Sequence, residues 1–335
     1  MGGIFVNEKG INVLEEYNLN IESVRRGRGI LLVETNQGVK KLVELKGTQA
    51  HVDFQNMVQE IIFEKAEIVT DSLVKNKNGE LVTTDKDGKK YVLKNHIEGA
   101  ECDIKNSQEI AGMARNLAKL HKYMQLKESR ELTAETQSIE SLRMEFEKHN
   151  KELRKIRRYI RTRSHISMFE TKFLKEFEEF YKEGEEALER LGNSSYLKLS
   201  RESLEQGFIC HGDYNYHNVI FTKNKTATIN FEKCHVGIQM EDLYDFMRKI
   251  LEKNNWDKRL GKKILAEYRN VREISSEEQE NLYIRLLYPE KFWKLANQYF
   301  NSNKAWISGK TVEKLEAVSA QNSKKQEFLK EFMEM

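Results

Sequence analysis

Apolar and polar positions follow one rhythm in the first hundred residues and another afterwards. Up to about residue 97 the chain runs in short alternating stretches, ILLVET and VKKLVEL, separated by turn signals such as Asn36-Gln37-Gly38. A period of two with tight turns predicts antiparallel strands. A second hairpin is expected to turn at Asp87-Gly88 and continue as a strand through Tyr91, Val92 and Leu93. Between the hairpins, Val52, Phe54, Met57, Val58, Ile61 and Ile62 recur at helical spacing and predict a helix over 50–64.

From about residue 104 the period becomes helical, with Ile110, Met113, Leu117 and Leu120 on one face and two long charged amphipathic helices within 138–191. The only proline is Pro289, so long helices run without their commonest breaker. Alternation returns at Val219-Ile220-Phe221 and Thr226-Ala227-Thr228-Ile229, before helices resume near Asp242. The expected plan is α+β and bilobal: a β-rich N-lobe over 1–97, a hinge strand through Tyr91, and a helical C-lobe over 98–335.

Bulk properties narrow this only slightly. A chain of 335 residues exceeds what one core usually serves, and 16 Phe with 13 Tyr supply enough apolar bulk to argue against disorder. A net charge of +3 does not by itself imply nucleic acid. Cys102, Cys210 and Cys234 show no CxxC spacing, so reduced thiols are expected and a zinc site is not. The stretch MGGIFVNEKG lacks a basic region followed by an apolar core, and no run approaches the length of a membrane span, so synthesis in the cytoplasm without a membrane is expected.

The candidate chemistry lies in CHGDYNYHNVIFTKNKTATINFEKC, residues 210–234. Phosphoryl transfer asks a protein for a carboxylate at the acceptor hydroxyl, ligands for Mg²⁺ and a lysine on the nucleotide phosphates. Asp213 suits the first role. Asn218, five residues on, suits the second through its carbonyl oxygen. The segment His211-Gly212-Asp213, Asn218 and Ile229-Asn230-Phe231-Glu232 resembles the HGD-x4-N and I-D-[FW]-[DE] pattern of aminoglycoside phosphotransferases and choline-kinase-like enzymes. More closely, YVLKNHIEGAECDIKN, KHNKELRKIRRYIR and LLYPEKFWKLANQYFNSNKAWIS look like the CotS family of spore-coat proteins, which share that protein-kinase-like fold.

The resemblance implies ATP and Mg²⁺ as cofactors, and it marks one departure. Asn230 stands where active relatives carry the aspartate that bridges metal and phosphates, so a neutral amide oxygen replaces a charged one. Glu232, two residues on along a strand, would leave from the same face and could restore the charge. Lys41 is the candidate for the phosphates, with Glu60 as its helix-borne partner and Glu64 the alternative. Tyr91 and Leu93 on the hinge strand are expected at the nucleotide. His211, Asp242 as an N-cap and Asp245 are expected to support the loop. Gly27 and Gly29, with Arg26 or Arg28, form a turn that could meet an anion, although the spacing is not GxGxxG.

Two further blocks stand out. Residues 148–163 hold eight Lys or Arg against Glu152 alone, around a stripe of Leu153, Ile156 and Ile160. Such a helix is either solvated and paired with the glutamates of EFEEFYKEGEE, or it docks on an acidic partner; nucleic acid is not the expected one, because only Tyr159 offers a platform. Tyr288, Phe292, Trp293, Tyr299, Phe300 and Trp306 read as core of the C-lobe or as the aromatic wall of a substrate cleft. The resulting expectation is a spore coat protein, localised to the coat and contacting other coat proteins, with impaired or absent phosphotransfer. Its rivals are an active ATP- and Mg²⁺-dependent phosphotransferase with a small hydroxylated acceptor, and a nucleotide-sensing module without turnover.

Overall fold

Tyr17, Leu42, Tyr91 and Leu93 pack together beneath a short 3₁₀ turn at Ile11–Glu16, and that cluster sets one face of the main sheet. The structure, a computed structural model, describes residues 10–27, 30–66, 68–126, 141–223, 225–301 and 309–335. Arg28, Gly29 and Trp306 lie outside the described residues. The chain divides into two compact units, one made of Met1–Thr136 with Ile209–Val236, the other of Gln137–Phe208 with Gly237–Met335.

In the first unit, β1 (Ile21–Arg26), β2 (Ile30–Thr35), β3 (Lys40–Glu44), α1 (Gln49–Ala66), β4 (Val69–Thr70), β5 (Leu73–Val74), β6 (Val82–Thr84), β7 (Lys90–Asn95), β8 (Ala100–Glu101) and α2 (Ser107–Tyr123) follow one another. The antiparallel main sheet has the order β1-β2-β3-β7-β5, with β6 also on β7. The first turn closes at Gly38, whose φ of 83° only glycine adopts freely, and the second at Gly88, with Asp85 accepting from the amides of Asp87 and Lys89. Both hairpins fall where the alternation places them. Val43, Val82 and Val92 cluster with Val52 of α1 on the other face of the sheet.

Register then fixes which lysines share that α1 face. In β3, Lys41 and Val43 point to it while Leu42 points away, and Lys41 pairs across the strands with Lys94 of β7. The same unit ends with β9 (Ile209–Cys210), β10 (Val219–Phe221), β11 (Thr226–Thr228) and β12 (His235–Val236). A second small sheet runs β4-β11-β10-β8, parallel between β4 and β11, and β12 pairs with β9. These pairings carry the loop between β9 and β10 and the segment after β11 to the neighbourhood of β4.

The second unit is helical: α3 (Ser141–Arg161), α4 (Met168–Asn193), α5 (Tyr196–Gln206), α6 (Met240–Lys253), α7 (Lys258–Arg269), α8 (Ser276–Leu287), α9 (Glu290–Asn301) and α10 (Gly309–Phe332). Ser167 and Ser275 open α4 and α8 with reciprocal capping boxes to Glu170 and Glu278. The aromatic block is core rather than a cleft wall: Phe292 is buried and stacks on Phe173 and Phe180, and Tyr299 stacks on Phe169. The basic helix forms as expected within α3, and Arg157 is ion-paired with Glu178 of α4 while lying over the Phe177 ring. Lys151, Arg154, Lys155, Arg158 and Arg161 stay exposed.

Candidate functional site

The loop after β9 is built around Gly212 and Asp213. Gly212 has φ 78°, and a Cβ there would lie 2.1 Å from the carbonyl oxygen of Lys233, so only glycine lets the two backbones pass. His211 is fully buried. Its Nδ1 accepts from the Asp213 amide at 3.2 Å, so its Nε2 carries the hydrogen and donates to the Ile229 carbonyl at 3.1 Å. The imidazole thus joins the loop to the end of the β10–β11 hairpin. Tyr214, donating to the Met113 carbonyl, and Asn116, donating to Tyr214 and Thr228, tie the loop to α2.

Asp213 presents a carboxylate about one-third exposed, with Oδ1 accepting from Asn215 at 2.9 Å and Oδ2 from Lys233 at 3.2 Å. Asn218 donates from Nδ2 to the Asp213 backbone carbonyl at 2.8 Å. A carbonyl can only accept, so the Asn218 amide is oriented and its Oδ1 must face the other way. What it faces is Asn230, whose Nδ2 donates to Asn218 Oδ1 at 2.7 Å. Asn230 itself has φ 67°, a left-handed backbone that asparagine tolerates better than most residues. Asp213, Asn218 and Asn230 therefore form one hydrogen-bonded chain, running through the Asp213 backbone carbonyl.

Two residues not identified from the sequence, Lys94 and Asp71, complete the site. Lys94 is buried, with its ammonium on Glu232 and 3.6 Å from Asp71 Oδ2. Asp71, equally buried, accepts from Gln59 of α1 at Oδ1 and from the Asn230 backbone amide at Oδ2. Burial pushes the Asp71 carboxyl up to about 6, Lys94 opposing and Glu232 adding to the shift. The Glu232 carbonyl accepts from His51 Nε2. One buried lysine thus holds β7, the start of β5 and the segment after β11 around a single charge cluster.

The remaining expected residues divide. Lys41 lies directly across from Lys94, near enough for the Asp71 carboxyl to feel its charge, and its side chain makes no hydrogen bond or ion pair among the described residues. Glu60 is exposed and accepts from Asn56, and Glu64 is exposed too. Of the two buried polar side chains on that helix, Gln55 and Gln59, the second lies one position before Glu60. The side chains of Tyr91 and Leu93 pack under the 3₁₀ turn, on the sheet face opposite Lys41 and Lys94. Asp242 is not an N-cap: Gln239 precedes the helix and Asp242 is its buried third residue. Asp245 engages Arg248 and Lys249 on its own helix.

A magnesium ion needs oxygens, preferably charged, converging with nothing between them. Here the Asn218 Oδ1 accepts from the amide of Asn230, and one oxygen of the Glu232 carboxylate, Oε1, is on Lys94. Asn218, Asn230 and Glu232 do not fit the ion as they stand.

Sheet order, a catalytic-type aspartate loop and an asparagine five residues on define a kinase-like protein. The fold superposes on an aminoglycoside phosphotransferase from Alicyclobacillus acidocaldarius with a TM-score of 0.85 at 18% identity, over 96% of this chain and 94% of that one. It also resembles the amicoumacin kinase hAmiN, solved in complex with AMP-PNP, Ca²⁺ and Ami, with a TM-score of 0.60 at 12% identity over 96% and 91% of the two chains. Residues 11–332 match the family described as spore coat putative kinase YutH, and the chain belongs to that family. It is also 25% identical over 170 residues to spore coat protein S of Bacillus subtilis, a match spanning 50% of this chain and 48% of that relative. No helix among the described residues is long and apolar enough to cross a membrane.

Proposed function

We propose that this chain works in the bacterial spore coat as a kinase-shaped component whose phosphotransfer is impaired, because its metal position is closed by an internal amide pair. The single observation that carries the reading is the 2.7 Å hydrogen bond from Asn230 Nδ2 to Asn218 Oδ1. Family membership supports the coat as the setting. The exposed basic residues of α3, Lys151, Arg154, Lys155, Arg158 and Arg161, are the face that meets acidic coat partners. ATP is held through Lys41, the open lysine on the α1 face of the sheet, without a divalent ion between protein and phosphates.

A second reading, an active phosphotransferase acting on a small hydroxylated acceptor, is favoured by one feature: Asp213 keeps a partly exposed carboxylate with fixed orientation. ATP binding by calorimetry separates the two. The affinity of the purified chain for ATP is expected to change by less than about threefold when Mg²⁺ is added, and to fall by roughly tenfold or more in Lys41→Met. Magnesium-dependent turnover of ATP that disappears in Asp213→Asn would overturn the impaired reading in favour of the enzyme.

A further inference from the structure

The second unit contains a group of donors that phosphotransfer does not use. Glu145 and His149 lie one turn apart on α3, and Glu290 is the first residue of α9. One nitrogen of His149 and one oxygen from each glutamate lie within 4.8 Å of one another. His149 is buried, its ring stacked on Trp293 with centroids 3.3 Å apart, so it cannot swing out to water.

Among the described residues its Nδ1 has no hydrogen-bond partner, although the residue is only 5% exposed. A buried, unpartnered nitrogen costs free energy, and native interiors rarely keep one without a reason. The atom it faces is Glu290 Oε2, at 3.7 Å, while Glu290 Oε1 is occupied by Lys294 at 2.8 Å. On the other side Nε2 lies 4.0 Å from Glu145 Oε1. These gaps are too long for hydrogen bonds. They run to different ring nitrogens, of which one ion takes only one; what brings the three side chains within reach of a single ion is that one ring nitrogen and one oxygen of each glutamate lie within 4.8 Å of one another, so small side-chain rotations close them to the roughly 3.3 Å between ligands at about 2.0 Å and a tetrahedral angle.

We propose that Glu145, His149 and Glu290 form a binding site for a divalent transition cation of the Zn²⁺ class. One imidazole with two carboxylates is a borderline donor set that suits zinc better than magnesium or calcium. The cysteine spacing that argues against zinc has no bearing on this set, which contains no cysteine. Burial keeps His149 neutral, the form in which a ring nitrogen has a lone pair to give. Glu145 is surrounded by Glu290 and Glu241 as well as by Arg285 and Lys294, and a dication would offset the acidic side of that balance. The ion would fasten α3 to the start of α9, where Trp293 and Tyr288 already stack against His149 and Phe146.

The test uses the full chain and the metal alone. Zn²⁺ titrated by calorimetry into protein stripped with chelator is expected to bind at one equivalent. Co²⁺ in its place is expected to give visible d–d absorption bands of a low-coordinate nitrogen and oxygen site. Glu290→Gln and Glu145→Gln should each weaken binding roughly tenfold or more and remove the Co²⁺ bands. Glu145 is exposed enough that its variant folds even if His149→Ala, which breaks the stack, does not. Absence of saturable binding overturns the proposal, as does one bound equivalent that both glutamine variants leave unchanged, since the ion would then sit on another of the chain's eight histidines.

Discussion

Lys94→Met is expected to destabilise the chain by about 3–5 kcal/mol near pH 8, because it strands a buried carboxylate. Lys94 and Asp71 are both buried, and the ammonium is the only cation among the described residues within ion-pair distance of Asp71. The loss should depend on pH in a definite direction. In the fold the Asp71 carboxyl titrates at about 6 against 3.8 ordinarily, so folding favours its protonated form. That contribution is whole below pH 3.8 and is lost as pH rises through 6. Removing Lys94 takes away the charge that opposes the shift, so the upper edge of the window moves higher still.

Denaturant unfolding of wild type and Lys94→Met should therefore show a large gap at about pH 8 and a small one at about pH 4. Adding Asp71→Asn to Lys94→Met should recover much of the loss, since no charge is then left buried. An equal gap at both pH values would mean that Lys94 stabilises by packing its stem alone.

Gly212→Ala is the second large effect. The left-handed φ costs a non-glycine residue about 1–3 kcal/mol. The new methyl also meets the Lys233 carbonyl oxygen at 2.1 Å, an atom of the backbone that cannot rotate away. Either the loop or the segment after β11 has to move, and both carry site residues: Asp213 on one side, Glu232 and Lys233 on the other. Loss of stability should thus come with loss of ATP binding, measured together by thermal shift with and without nucleotide. A variant within about 0.5 kcal/mol of wild type that keeps its ligand response would contradict the close backbone approach.

The two-period pattern made the fold legible. Alternation with glycine turns marked both hairpins, and the three-and-four spacing marked α1, α2 and the two helices around the basic segment. In the site, Asp213, Asn218 and Asn230 were legible because they sit within one stretch of chain, where spacing reports geometry. Lys94 and Asp71 were not. Tyr91, Val92, Leu93 and Lys94 are all buried, so β7 is covered on both faces and its lysine does not stand out as the polar member of an alternation. Its partners lie 23 and 138 positions away, at Asp71 and Glu232, a juxtaposition made only by sheet pairing.

Glu232 shows the same limit from the other direction. A period of two would place it beside Asn230 on one face, but the left-handed turn at Asn230 breaks that period. Its carboxylate goes to Lys94 instead of to the amide pair. Glu60 failed as the helix-borne acid for a similar reason. One residue of helical phase separates an exposed side chain from a buried one, and the buried one is Gln59, an amide.

Asn230→Asp tests the closed metal position most directly, read as thermal stability with and without Mg²⁺. Replacing the amide sets a carboxylate oxygen against Asn218 Oδ1 and adds a second charge beside Asp71, whose Oδ2 already binds the residue 230 amide. One lost hydrogen bond costs about 1 kcal/mol, which lowers Tm by roughly 1–2 °C in a chain of this size. The account predicts that Mg²⁺ restores that loss in Asn230→Asp and leaves the wild type unmoved. A wild type stabilised by Mg²⁺ as much as the variant, or a variant indifferent to the ion, would contradict it.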